Sequence, residues 1–265
     1  MKLTRFLAMA TALGLGAANA ALVSHFTFDE AVGSTTAVNS VSGAANGAIG
    51  SNVTLGATGV FGTAFTFNND ASQNGIVDMG NATGLFSAIA ASGQITISVW
   101  LNWGTLSANR DSAIFLGDDT VGNRYIDIGT AGNTNSGVYG RTRDNQGTGF
   151  SDGIQGSGLS DGEWHHIAYT SNQATGEAQL YIDGVAQPLQ TGVNTFPSVF
   201  NNFEVGRLGR GGAGPTDAFA GSIDELRIYD EVLSSAAIAA LAVPEPGVSA
   251  LLGLGSLCVA FRRRK

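Results

Sequence analysis

Lysine and cysteine are both missing from the long central stretch of the chain, residues 21–243. The only cysteine, Cys258, lies beyond it, so no disulfide can form within that stretch. Its stability must therefore come from a packed core or a bound metal. The missing lysines leave seven arginines against twenty acidic residues, a formal net charge of −13. This charge argues against nucleic acid or anionic lipid as a partner, because their phosphates attract cations. It suits a neutral partner, a cationic partner or a divalent metal ion.

The sequence patterns of the common hydrolases are also missing. Retaining glycosidases need two carboxyl groups about 5–5.5 Å apart. Glu-x-Asp-x-x-Glu and Glu-x-Asp-x-Glu are strand patterns that can project two such groups from one face, and none of the seven glutamates forms either pattern. Asp224 and Glu225 are neighbours, which point to opposite faces of a strand. Gly-x-Ser-x-Gly occurs at 149–153 and 158–162, but without the strand-to-helix setting of a nucleophile elbow. We therefore predict no catalytic residue.

The histidines do not form a zinc-binding pattern. His165 and His166 lie on a predicted strand and so face opposite ways, and His25 is the only other histidine. A structural hydrogen bond is the better prediction for one of them.

Proline is scarce, with 5 residues, whereas glycine reaches 38. This composition indicates short strands joined by tight turns. Apolar residues alternate clearly in Gln94–Trp103, where one face is formed by Ile95, Ile97, Val99, Leu101 and Trp103. Asp183-Gly184 predicts a hairpin turn, and residues 140–158 are predicted to be a loop. A single short helix is predicted at Ala236–Leu241, capped by Ser234 or Ser235.

The start of the chain is typical of an export signal. Two cations precede an apolar run, and Ala18-Asn19-Ala20 has the small-x-small form that signal peptidase cuts. Residues 1–20 are therefore predicted to be a signal peptide, with the mature chain starting at Ala21.

The end of the chain combines Pro244-Glu245-Pro246, an apolar run over 247–261 and four terminal cations. In this order the features resemble the PEP-CTERM sorting signal. The resemblance implies an exported bacterial protein whose tail, residues 243–265, is recognised and cut by an exosortase. An ordinary membrane anchor is the alternative, although the run has 15 residues and a spanning helix needs about 20. In either case residues 247–261 would anchor the chain at the membrane, transiently or permanently.

Six motifs follow one another between these ends. They are Leu22–Glu30, Phe61–Phe67, Ile95–Trp103, Asp161–Ala168, Leu180–Val185 and Phe219–Leu241. Together they resemble the laminin G-like, or concanavalin A-like, jelly-roll superfamily. The resemblance implies an all-β fold over residues 21–242, a two-sheet antiparallel jelly-roll sandwich with one short C-terminal helix. It implies less about function, because this fold serves lectins, adhesion modules and enzymes.

The superfamily resemblance also implies a structural calcium ion. Its members often hold one with the aspartate that matches Asp224 and with groups near the first strand, for which Asp29 and Asn39 are the candidates. Asp224 shares strand parity with Leu226 and Ile228, which predicts apolar surroundings. A carboxylate there needs a cation or several hydrogen-bond donors. Backbone N–H groups could be those donors, so a bound calcium ion and backbone hydrogen bonds remain two alternatives for Asp224.

A glycan-binding role would require exposed aromatic side chains beside short polar ones. Trp100, Tyr125 and Tyr139 are candidates, although Trp100 and Trp164 are expected to pack between the sheets. We predict an exported, non-catalytic protein of the cell surface or extracellular matrix that binds glycan, such as exopolysaccharide, or another envelope polymer. The alternatives are a divergent glycoside hydrolase or lyase and a structural surface protein without a ligand.

Overall fold

A computed structural model describes residues 21–104, 110–120, 124–131, 137–144, 151–154, 159, 162–192, 196–207 and 217–244. The predicted signal peptide and most of the predicted sorting tail lie outside these residues. No helix within the described part of the chain is long and apolar enough to cross a membrane.

Strands dominate the described residues. They are β1 Leu22–Phe26, β2 Thr36–Ala37, β3 Gly47–Ile49, β4 Thr54–Thr58, β5 Thr63–Asn68, β6 Val77–Gly80, β7 Gln94–Asn102, β8 Arg110–Gly117, β9 Arg124–Ala131, β10 Gly137–Asp144, β11 Ser151–Ile154, β12 Trp164–Asn172, β13 Glu177–Ile182, β14 Val185–Ala186, β15 Gln190–Thr191, β16 Asn202–Val205 and β17 Ala220–Tyr229. The helices are α1 Thr83–Ser92 and α2 Ser235–Leu241, and a 3₁₀ turn covers Gln73–Gly75.

The strands form two antiparallel sheets that pack face to face. The first sheet has the order β14-β13-β12-β7-β17-β5-β4, with β1 also paired to β17 and β15 to β13. The second has the order β11-β10-β9-β8-β16-β6-β3-β2. The first and last strands of the sequence are thus neighbours, with Leu22 opposite Tyr229. This architecture confirms the predicted all-β jelly-roll sandwich.

The core lies between the sheets and follows the predicted alternation. On β7, Ile95, Ile97, Val99 and Leu101 face the core, and Trp103, just after the strand, joins them. Trp100 is also buried, but it lies on the other face of β7, where its ring meets His166 edge-on at 5.3 Å. The expectation that Trp100 packs between the sheets is therefore wrong, because it has the opposite strand parity to Trp103.

The C-terminal helix forms as predicted. Ser234 is its N-cap and its side chain accepts a hydrogen bond from the Ala237 N–H at 3.2 Å. Ile238 and Leu233 pack with Ala168 and Tyr181 on the outer face of the first sheet, the face turned away from the core. This packing accounts for the burial of Ala168 and Tyr181 on that face.

Two local expectations are wrong. Residues 140–158 were expected to form a loop, but β10 continues to Asp144 and β11 follows at Ser151–Ile154. The single predicted helix is joined by a second, α1, which buries Leu85, Phe86 and Ile89 and ends at Gly93 in a left-handed conformation. The predicted Asp183-Gly184 turn is confirmed, with φ of 49° and 77° between β13 and β14.

Candidate functional site

A cleft of about 360 Å³ opens between the first strand and the start of α1. Its walls are Leu22–Ser24 of β1, the loop 41–45 and the first turn of α1, and Phe203 also lines it. Ala82, the residue before α1, provides no side-chain cap. Backbone N–H groups of the first helical turn therefore lie in the wall without a side-chain acceptor from the N-cap position.

A second, shallower cleft of about 380 Å³ adjoins the first. It lies between α1 and residues 197–200, and both clefts are lined by Asn81 and Thr83. Phe86 and Phe200 line it as a stacked pair with ring centroids 5.3 Å apart. We call the two clefts together the groove.

The groove is uncharged in a strongly acidic protein. Among the described residues that line it, none is an aspartate, glutamate, lysine, arginine or histidine. Its polar groups are instead amides and hydroxyls, including those of Asn39, Asn81, Thr83 and Ser87. Neutral hydrogen-bonding groups beside apolar and aromatic surface are typical of sites that bind neutral polar ligands.

Asn39 shapes the groove and lies in a separate network from the other two predicted calcium ligands. Its Oδ1 accepts from the N–H of His25 and of Val41, and its Nδ2 donates to Ser24 Oγ and to the Ala45 carbonyl. These four bonds tie the loop 41–45 to β1. In the described structure Asn39 shares no hydrogen bond with Asp224 or Asp29.

Asp224 and Asp29 do converge, at the turn 59–62 between β4 and β5. Asp224 Oδ2 accepts from the N–H groups of Val60 and Phe61 at 2.8 and 3.1 Å, and Asp29 Oδ1 accepts from the Thr63 N–H at 2.7 Å. Asp224 is fully buried, and its Oδ1 has no hydrogen-bond partner in the described structure. Burial raises the pKa of Asp224 to about 7, and the nearby charges of Glu225 and Asp29 act in the same direction.

The surroundings of Asp224 differ from those expected. A bulge separates Asp224 from Arg227 in the pairing with β7, and Glu225 within it has a φ of 52°. The extra residue reverses the strand parity, so Asp224 lies opposite Trp100 on the outer face while Leu226 and Ile228 belong to the core. The expectation that Asp224 shares a face with Leu226 and Ile228 is therefore wrong.

The histidines make structural hydrogen bonds, as predicted for one of them. His166 is buried with Nε2 2.8 Å from Ser98 Oγ, and burial lowers its pKa to about 4. His165 pairs with Asp183 at 2.9 Å, and His25 with Glu225 at 2.9 Å. Within the described ranges no group of three or more histidine, cysteine, aspartate or glutamate side chains could hold a metal ion.

Tyr125 and Tyr139, the other aromatic candidates, lie together on the outer face of the second sheet. The Arg141 guanidinium lies between them, 5.1 and 4.6 Å from their ring centroids. Arg141 also forms a two-pronged ion pair with Asp127, at 2.8 and 2.6 Å, and Tyr139 donates to the same carboxylate at 3.0 Å. All four side chains are at most 5% exposed, so they form a closed network and offer no surface to a glycan.

The fold defines a class, the antiparallel two-sheet β-sandwich modules. The family model of the concanavalin A-like lectin/glucanases superfamily matches residues 71–239, more than half of the chain. The chain belongs to this superfamily. The PEP-CTERM protein-sorting motif matches residues 242–265, which indicates export to the cell envelope or surface.

Solved structures share the fold. Domain 4 of AbnA, a GH43 extracellular arabinanase from Geobacillus stearothermophilus in complex with arabinotriose, is similar with a TM-score of 0.64 and 22% identity. The match covers 84% of this chain and 99% of that one. A Trypanosoma rangeli sialidase is similar with a TM-score of 0.60 and 15% identity, over 83% of this chain and 32% of the sialidase. At these identities the likeness shows the fold alone.

One curated relative is much longer than this chain. The rat Sushi, von Willebrand factor type A, EGF and pentraxin domain-containing protein 1 is 33% identical over 90 residues, which are 32% of this chain. The match spans 2% of that protein's length, and the same holds for the mouse protein.

Proposed function

We propose that this exported protein binds a neutral saccharide in the groove without catalysing a reaction. The observation that carries the proposal is the uncharged lining of the groove on a domain of formal net charge −13. A saccharide without charge is recognised through its hydroxyl groups, and the amides and hydroxyls of the groove are the matching partners. The AbnA domain with its bound arabinotriose supports a saccharide as the ligand of this fold.

The described carboxylates favour binding over catalysis. Glycoside hydrolysis needs one carboxyl group as acid and a second as base or nucleophile beside the substrate. Along the outer face of the second sheet, Asp127 and Glu204 are both buried, and each is engaged by two nitrogens of an arginine, Arg141 and Arg207. No carboxylate among the described residues lines the groove. A divergent hydrolase or lyase remains the alternative that an activity assay addresses.

Glycan-array binding tests the proposal, with the wild type beside Asn81→Ala, which removes an amide shared by both clefts. We expect saturable binding to neutral glycans that falls about tenfold in Asn81→Ala, the equivalent of about 1.4 kcal/mol. Asn74→Ala, an exposed asparagine outside the groove, is the matched control and should bind like the wild type. Release of reducing ends would contradict the non-catalytic role. Inertness in both assays would leave a structural surface protein.

We also propose that any structural calcium is held at the β4–β5 turn by Asp224 and Asp29, without Asn39. The buried, unpartnered Oδ1 of Asp224 and the nearby Asp29 carboxylate are the oxygen donors that calcium prefers. The side-chain amide of Asn39 is already hydrogen-bonded to the His25 N–H and to Ser24 Oγ beside the groove. Added calcium should raise the melting temperature of the wild type and leave that of Asp224→Asn unchanged. If a chelator does not lower the melting temperature of the wild type, the proposal of a bound calcium ion loses its support.

We propose that an exosortase-type enzyme recognises residues 243–265, with residues 247–261 as a membrane anchor before cleavage. The matched sorting motif supports this partner. Mass spectrometry of the protein from medium and from membranes tests it. Secreted protein that still carries Arg262–Lys265 would contradict the processing.

A further inference from the structure

The groove has two halves of different chemistry that meet at one point. The first cleft is bordered by Asn81, Thr83 and the start of α1, which has no side-chain cap, so it presents hydrogen-bonding groups beside apolar surface. The second presents the stacked Phe86–Phe200 pair and the hydroxyl of Ser87. Asn81 and Thr83 line both, so the two clefts adjoin each other.

Resting on the proposed function, we infer that the groove takes an uncharged, linear oligosaccharide through at least two adjoining subsites. Polar groups of the first cleft form hydrogen bonds with the hydroxyl groups of one sugar unit. Phe200, which is half-buried, packs against the apolar face of a second sugar unit. Asn81, which lines both clefts, lies between the two subsites.

The uncharged lining sets the ligand class. A uronic-acid or sulfated chain would bring anions to a domain of net charge −13 with no arginine among the described groove residues. Each anionic unit would have to lose water without gaining a cationic partner, which costs free energy. Neutral chains avoid this cost and are therefore preferred over anionic chains of the same length.

Calorimetry on the full chain in detergent micelles tests the two subsites. The probes are arabino-, xylo- and gluco-oligosaccharides of increasing length, beside an oligogalacturonide. For the neutral series that binds, we expect affinity to rise about tenfold from one unit to three and then to level off. The oligogalacturonide should bind at least about tenfold more weakly than a neutral chain of equal length.

The variant Phe200→Ala tests the second subsite separately from binding in the first cleft. It should remove most of the gain with length, while affinity for a single unit stays within about twofold. Leu189→Ala, which truncates an exposed apolar side chain outside the groove, is the control. Equal affinity for one unit and for longer chains would overturn the two-subsite inference and leave the proposed function standing. Absence of binding to every probe, and to a glycan array, would overturn both.

Discussion

Buried charges of the second sheet are stable only because they are paired. Arg141 and Asp127 are 5% and 0% exposed, and their two-pronged contact satisfies both groups. Tyr139 belongs to the same network, and burial, together with the charge of Asp127, raises its pKa well above the usual value. The tyrosine therefore remains a neutral donor to Asp127 at any ordinary pH.

Removing one member of the pair should destabilise the protein more than changing both. Arg141→Met leaves Asp127 buried without its cation, and we expect it to cost about 3–5 kcal/mol of unfolding free energy. In the double variant Asp127→Asn, Arg141→Met, no charge is left unpaired, and Tyr139 keeps an acceptor. Denaturant unfolding should therefore show the double variant to be more stable than Arg141→Met, and the reverse order would contradict a paired network.

His166 predicts acid sensitivity. Its pKa falls from 6.5 to about 4 on folding, because burial disfavours the charged ring. The unfolded chain therefore binds more protons between pH 6.5 and 4, and the stability that His166 contributes above pH 6.5 is lost as pH falls towards 4. Asp224 acts oppositely in metal-free protein, since its raised pKa adds stability as pH falls from 7 to about 4.

The two groups can be separated by measuring unfolding free energy against pH in the presence of a chelator. In Asp224→Asn only the effect of His166 remains, so the unfolding free energy should drop by about 2 kcal/mol as the pH falls from 6.5 to 4. His166→Gln should show the opposite slope. Parallel curves for both variants would contradict these assignments.

At the scale of elements, α2 covers part of the outer face of the first sheet. Ile238 and Leu233 cover Ala168 and Tyr181, and the helix is only seven residues long. A helix this short has little stability of its own, so its cap and its packing decide whether it forms.

Loss of the cap should therefore be measurable. Ser234→Ala removes the acceptor for the Ala237 N–H and should cost about 1 kcal/mol, with a lower melting temperature. Ser234→Asp, which preserves an acceptor and suits the helix N-terminus, should remain close to the wild type. Equal losses in both variants would show that the cap is not the cause.

The sequence predicts elements best where the pattern is long and regular. The nine residues of β7 alternate throughout, and α2 has a serine cap before its apolar residues, so both were predictable. β2 has two residues and β3 three, which is too short for a period to be visible. α1 lacks a capping side chain and carries Gly84 in its first turn, so its usual start signal is missing.

The site was harder to predict for the same physical reason. The bulge at Glu225 inserts one residue, and no local signal in the sequence marks it. The sequence therefore predicts the wrong face of β17 for Asp224. The groove joins β1, the loop 41–45, α1 and the loop 197–200, which are distant in sequence. These segments become neighbours through the topology of the sheets, which sequence motifs do not reveal.

At the scale of the whole molecule, the acidic surface and the uncharged groove are independent of each other. Salt screens the repulsion between exposed carboxylates over about 10 Å at 0.1 M. Neutral side chains in the groove have no such dependence.

Raising the salt concentration should therefore affect stability and binding differently. Between about 0.05 M and about 0.5 M sodium chloride, we expect the melting temperature to rise as self-repulsion is screened. Affinity for a neutral oligosaccharide should stay within about twofold over the same range, as measured by calorimetry. A steep loss of affinity with salt would instead indicate that charged groups hold the ligand.

The pairing of Leu22 with Tyr229 has a consequence for the order of folding. β1 completes the first sheet only beside β17, which is almost at the other end of the described chain, so the fold has a high contact order. Because Leu22–Ser24 also line the first cleft, that cleft is complete only once β17 is in place beside β1.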